Sequence, residues 1–370
     1  MSMDNLVNIL SLYWIIIERS GENKNEMLLN DKDLVDGNTI KSIGSNTFKY
    51  WQIIQTAILD CKETYESRKL NECFRSNYTF YIICGWKFIS IISSHQNEGR
   101  IRETEYKFDV QINDSFDNFI DRWYFSTQLS DTWSNSDNYP GYIARLCRLH
   151  KKIIQCHEPK TAIELLVGEL SDMLNGLKQT AINRIRNMRA YDRKGVIAYK
   201  NLLWLWNRLQ MERWSEVQRP MKRLRAQPKL EVDHAVPVEI WFEKINAEYP
   251  EETSRDPVTG IEIKYSLSGE MYTRTELLSI INILGNCSLL LRSHNRSKGK
   301  EQFYDFLSDI YNPQQIELLK NALLLTDNCL MPNNASIEQI VKEINNRTGK
   351  IKTELIDFFD NTDKKRKDVT

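Results

Sequence analysis

Apolar residues recur along this chain with two different periods, and the change of period separates its regions. Near the start, LVNILSLYWIII is apolar on nearly every side and ends at Glu18-Arg19, so it reads as a buried helix. NTFKYWQIIQTAILDCKETYES brings Trp51, Ile54, Ala57, Ile58 and Cys61 to one helical face. TFYIICGWKFISII is apolar almost all round and predicts a central core helix, with a buried strand as the other reading. DRWYFSTQLSDTWSNSDNYPGY sets aromatics ahead of a Ser/Asn/Asp cluster and Pro140-Gly141, the pattern of a loop with aromatic anchors. Between 142 and 216 helices are predicted at YIARLCRLHKKIIQ, TAIELLVGELSDMLNGLKQTAINRIRNMRAY and KGVIAYKNLLWLWNRLQMERW. In the last of these, Trp204, Trp206 and Trp214 stand among leucines, a stripe expected to pack in a core and not to stack on bases.

Further along, the period shortens. KLEVDHAVPV alternates charged and apolar residues and then stops at a proline, as a strand end does. IEIKYSL alternates again, TRTELLSIINI reads as a helix or half-buried segment, and Cys287–Leu291 suits a short strand. HNRSKGKEQFYDFLSDI predicts a helix entered at its polar end. Two closing helices, 312–330 and 336–359, precede the charged tail DKKRKDVT. The class expected is mainly α with a small α+β domain. Its parts are a helical region over 1–160, a helical connector over 161–228 that ends in a basic linker, the strand-bearing domain over 229–310, and helices plus tail over 311–370.

Composition narrows the class without naming a partner. At 370 residues, with 41% hydrophobic and 27% charged, the chain is long and apolar enough for more than one core. Fifty basic residues balance fifty acidic ones, so only local charge can point to a ligand. The seven cysteines include no CxxC pair, which argues against a disulfide framework or a zinc ribbon. Cys147, His150, Cys156 and His157 cluster in sequence but fit no standard zinc spacing, and are read as buried thiols and surface or packing histidines. The apolar run near the start, about 12 residues, is shorter than the ~20 a bilayer span needs, so the expectation is a cytoplasmic protein with no membrane partner.

Local charge is informative in two places. From Arg208 to Lys229 the chain carries Arg213, Arg219, Lys222, Arg223 and Arg225 against Glu212 and Glu216, broken by Pro220 and Pro228. It is either a solvated linker or a phosphate-contacting approach in which Arg223 and Arg225 would take part. The second place is GNCSLLLRSHNRSKGK, where Arg292, Arg296, Lys298 and Lys300 follow one another with no acid among them.

Together with Asp233-His234 this segment supplies the parts of a phosphodiester hydrolase. That chemistry needs a hard divalent cation near the phosphate and a base for water. Asp233 offers an anionic oxygen and the Asn295 side chain a carbonyl, which suit Mg²⁺ or Mn²⁺. His234 has an ordinary pKa of about 6.5, which suits a general base near neutrality. The four cations would grip flanking phosphates.

VDHAVP followed by LGNCSLLLRSHNRSKGK resembles an HNH, or ββα-metal, endonuclease. It is similar to the HNH domain of CRISPR effector nucleases and to the C-terminal domain of GmrSD-type restriction enzymes. The resemblance covers roughly 229–310 and implies roles for particular residues. Asp233 would be a metal ligand, His234 the general base, Asn286 the structural asparagine holding the His-bearing loop, Asn295 the second metal ligand and Lys298 a phosphate contact. Many family members carry His where Asn295 stands, and His294 is an alternative ligand here. The stretch from Trp241 to Gly285 is longer than in a minimal HNH domain and closer to the GmrSD-like type. The ParB-like half of those enzymes, with its Asp-Gly-Gln-Gln-Arg motif, has no counterpart, since VDGNTIKS shares only Asp-Gly.

The resemblance implies the nuclease subunit of a bacterial antiphage or restriction system, acting on DNA in preference to RNA. A partner subunit would supply sensing or ATPase/GTPase function, and HNH nucleases commonly pair, which leaves a homodimer open. Two other readings stand beside it: a non-catalytic nucleic-acid-binding or assembly subunit with an HNH shell, and an RNA-cleaving toxin nuclease.

Overall fold

Helices carry most of the described chain, and its paired strands form two small antiparallel sheets, the mainly α class with a small α+β part that the periodicity predicts. The computed structural model describes residues 12–13, 58–59, 77–95, 120, 122–130, 132, 135, 137–156, 159–188, 196–213 and 230–360. The chain divides into two units, Met1–Arg184 and Ile185–Thr370. Most of the first two predicted helices, Trp214, the basic linker with Arg223 and Arg225, and the charged tail lie outside the described residues.

In the first unit, α1 (Asn77–His95) is the expected core helix. Tyr81–Ser90 is buried without interruption, Lys87 included, since apolar residues fall on every side of that stretch. The aromatic stretch expected as a loop is instead helical over 122–129 (α2), with Trp123, Tyr124 and Phe125 buried. Pro140-Gly141 lies within the start of α3 (Asn138–Ile154). Proline is tolerated there because first-turn amides have no intrahelical acceptor. Helix α3 packs on α1, with the Tyr139 ring 4.5 Å from Tyr78 and 6.3 Å from Tyr81. Next comes α4 (Pro159–Arg186). Cys147 is buried as read, His150 is buried as a packing residue, and His157 lies outside the described residues. No helix among the described residues is long and apolar enough to cross a membrane.

In the second unit, α5 (Val196–Arg213) buries Trp204 and Trp206, as the stripe predicts. Strand β1 (Leu230–His234) pairs antiparallel with β4 (Cys287–Leu291), setting Val232 opposite Leu289, Asp233 opposite Ser288 and His234 opposite Cys287. Between them run α6 (Val238–Glu248), the hairpin of β2 (Lys264–Leu267) and β3 (Glu270–Thr273), α7 (Arg274–Ile280) and a 3₁₀ turn over Leu284–Asn286. The hairpin turns through Ser268 and Gly269, both at positive φ, which matches the twist of the flanking strands. Helix α7 starts from a capping box: Glu276 N donates to Thr273 Oγ1 (3.2 Å) and Thr273 N to the Glu276 carboxylate (2.8 Å).

After β4 come α8 (Arg292–Lys298), α9 (Phe303–Ile310), α10 (Pro313–Leu323), α11 (Asp327–Leu330) and α12 (Ile337–Asp360). The single helix expected from His294 is two, because Gly299 takes φ +52 and ends the first of them. The closing helix expected over 312–330 is likewise broken, at Leu324, which adopts left-handed geometry as the C-cap of α10. The core gathers Trp241 and Ile245 of α6, Leu277 and Ile280 of α7, Phe303 and Phe306 of α9, and Ile340 and Ile344 of α12. Trp241 buries its indole with the N–H satisfied, donating to Leu277 O at 2.9 Å.

Candidate active site

The β1–β4 pair and α8 bring the polar residues of the two sequence segments together. At the open end of the β1–β4 pair the chain leaves β1 at His234, and Asn286 holds the next two residues. Ala235 N donates to the Asn286 backbone oxygen (2.8 Å), and Val236 N donates to Asn286 Oδ1 (2.8 Å). The same amide's Nδ2 donates to Val236 O (3.2 Å) and to Ile281 O (2.9 Å). Asn286 is fully buried, so these bonds form away from water and fix the loop after His234.

Helix α12 clamps that same turn from behind. Gly285 N donates to Thr348 Oγ1 at 2.9 Å, and a Cβ at Gly285 would overlap the Ile344 carbonyl oxygen. Arg347, buried within the apolar stripe of α12, donates from Nη1 to Gly285 O (2.6 Å) and Cys287 O (2.9 Å), and from Nε to Leu323 O (2.8 Å). Its guanidinium lies 5.4 Å from the Trp206 ring, where the ring's negative face favours a cation. Burial lowers the Arg347 pKa to about 10, which leaves it charged at neutral pH.

Asp233 and Glu231 occupy one face of β1, since residues two apart in a strand point the same way. Both meet α8. Asn295 Nδ2 donates to Glu231 Oε2 at 3.1 Å. Lys298 Nζ lies 2.9 Å from Asp233 Oδ2, with side-chain exposures of 2% and 11%. That oxygen is buried, and the ammonium is the partner that satisfies it, at the length of a charge-assisted contact. Asn295 and Lys298 sit three apart on the helix and therefore on one side of it. His294 faces elsewhere, its ring set edge-on to Phe306 at 5.9 Å.

His234 ends β1 and lies 3.1 Å through Nε2 from Asn282 Oδ1. The tautomer that keeps this contact with the carbonyl oxygen bears its proton on Nε2. Burial holds the His234 pKa below its ordinary value, outweighing the carboxylate of Asp233 and the bond to Asn282, which both favour the charged form. The ammonium of Lys298 adds to the lowering. The ring is thus neutral at physiological pH, the form a base requires.

Of the other predicted contacts, Arg296 and Lys300 are exposed, and Lys300 Nζ lies 3.8 Å from Glu239. Arg292 opens α8, with its side chain outside the described residues, as are Arg223 and Arg225. Lys298 is not presented to solvent. Sequence reasoning missed Glu231, although its place two residues before Asp233 was a readable signal. It also missed Asn282, for which no local signal exists, and Arg347, a cation standing where α12 shows an apolar residue on every neighbouring turn.

The donor set is compatible with a hard cation. Among the described residues no three His, Cys, Asp or Glu side chains cluster as a metal site. Mg²⁺ asks for less, since one or two carboxylates with carbonyl and water oxygens suffice. Asp233, whose buried oxygen already faces a cation, and the Asn295 carbonyl on the facing helix supply oxygens of that kind. Comparison with known proteins adds no relative: no family model, no curated protein and no solved structure matches the chain.

Proposed function

We propose that the chain is a metal-dependent endonuclease of HNH type that hydrolyses phosphodiester bonds of DNA. The observation that carries this reading is the convergence of one strand end and one short helix. A neutral, half-buried His234 follows Asp233 on β1, while Asn295 and Lys298 of α8 meet the acidic face of that strand. Asp233 and Asn295 would hold Mg²⁺ or Mn²⁺, which when bound stabilises charge on the phosphate and leaving oxygen. His234 would take the proton of the attacking water at Nδ1, with Asn282 keeping the ring oriented through Nε2. Asn286 would hold the His-bearing loop at fixed distance from α8. Arg296 and Lys300, both exposed, would take flanking phosphates.

In its biological setting this reading is the cytoplasmic nuclease subunit of an antiphage or restriction system, with a partner providing sensing or ATPase/GTPase function. One observation favours a second reading, a non-catalytic binding or assembly subunit: an ammonium already neutralises Asp233. Incubating the purified protein with supercoiled plasmid and with structured RNA, in Mg²⁺, Mn²⁺ or EDTA, tests these against one another. Nicking of plasmid that EDTA abolishes and Asn295→Ala cripples is the expected result. Cleavage of RNA alone would replace the substrate, and inertness towards both, with cell extract or partner present, would favour the binding subunit.

A further inference from the structure

We infer that Lys298 is a built-in counter-cation for Asp233, exchanged for the divalent ion on metal loading and thereby released to grip the substrate phosphate. This rests on the nuclease reading above and specifies how the site is switched between empty and loaded. The sequence pattern makes Lys298 a phosphate contact, yet its side chain is 2% exposed and its ammonium sits 2.9 Å from Asp233 Oδ2. A lysine in that position cannot reach a phosphate arriving from solvent. It does what a metal would do there, neutralising a carboxylate whose Oδ2 is buried.

A divalent ion on Asp233 would repel an ammonium held beside it, and its doubled charge gives it the stronger hold on the carboxylate, so the ammonium is the group displaced. The flexible four-carbon stem of lysine allows the ammonium to leave without movement of the strand. The local backbone helps: Lys298 is the last residue of α8 and Gly299 follows it at φ +52. In the paired position the ammonium also lies 5.7 Å from the buried Phe303 ring. Metal loading and phosphate grip are then one event. The metal-free protein keeps its acidic site neutral, and the cation meant for substrate becomes available only once the metal is in place.

The test uses the full chain, Mn²⁺ alone as probe, and amine-reactive labelling read by mass spectrometry. Mn²⁺ binding is followed separately by calorimetry. Labelling of Lys298 should rise at least fivefold on saturation with Mn²⁺, while Lys320, held by Glu317 and Asp327, serves as an unchanged control. Lys298→Met should bind Mn²⁺ several-fold more tightly than wild type, and Asp233→Asn should expose Lys298 to label without any metal. Should Lys298→Met fold poorly, the labelling of wild type and Asp233→Asn decides alone. Saturable Mn²⁺ binding that leaves Lys298 unlabelled overturns the exchange and spares the nuclease reading. Absence of any Mn²⁺ binding overturns both.

Discussion

Asn286 holds the turn after His234 with three side-chain hydrogen bonds. Its amide satisfies Val236 N, Val236 O and Ile281 O in a place that water does not reach. Asn286→Ala would leave Val236 N buried without an acceptor, at about 1–3 kcal/mol for that group alone. The expected outcome is a fall in melting temperature of roughly 5–10 °C, measured by calorimetry, with cleavage lost along with the geometry. His234 gives a second prediction at this scale. Its folded pKa lies below the unfolded value of about 6.5, so between the two the unfolded chain binds more protons. The histidine's contribution is therefore present above pH ~6.5 and lost as pH falls through the lower folded pKa. Urea titrations of the metal-free protein at pH 7.5 and pH 5 should show a smaller loss of stability in His234→Gln than in wild type. An equal loss would mean that His234 is not held neutral by burial.

The β1–β4 pair, α8 and α12 act together around one turn. Gly285 sits where the backbone of α12 passes, and its Cβ would overlap Ile344 O. Gly285→Ala should destabilise by roughly 3 kcal/mol or more, visible as a shifted urea midpoint, since the obstacle is backbone and cannot rotate aside. Much of this arrangement is legible in the sequence. Alternation places Asp233 and His234 at a strand end, the run Cys287–Leu291 is a strand, and Asn286 stands just before it. The illegible part lies across long sequence separations. Asn282 and Arg347 reach the site only because α7 and α12 fold back on it, and no local period encodes that. The break at Gly299 escapes the pattern because a glycine inside a polar helical stretch can be tolerated or can end it, and here its left-handed φ ends it. Pro140 misleads in the other direction, being a first-turn proline and not a loop proline.

For the molecule as a whole, the strand-bearing segment shares its core with the helices C-terminal to it. Ile340, Val341 and Ile344 of α12 pack with Trp241, Phe303 and Phe306, and Arg347 ties α12 to the turn before β4. A fragment limited to 229–310 is therefore expected to be unfolded by circular dichroism and proteolysis, whereas one extending over 185–360 retains the core. A folded, protease-resistant 229–310 fragment would show that α12 is dispensable. Above these scales stands the proposed chemistry. Single-turnover nicking of supercoiled plasmid in Mg²⁺ measures it directly when wild type is compared with His234→Ala at matched folding. Loss of the base should slow cleavage by about 100-fold or more while Mn²⁺ binding persists. Equal nicking rates for the two proteins would contradict a His234-dependent nuclease.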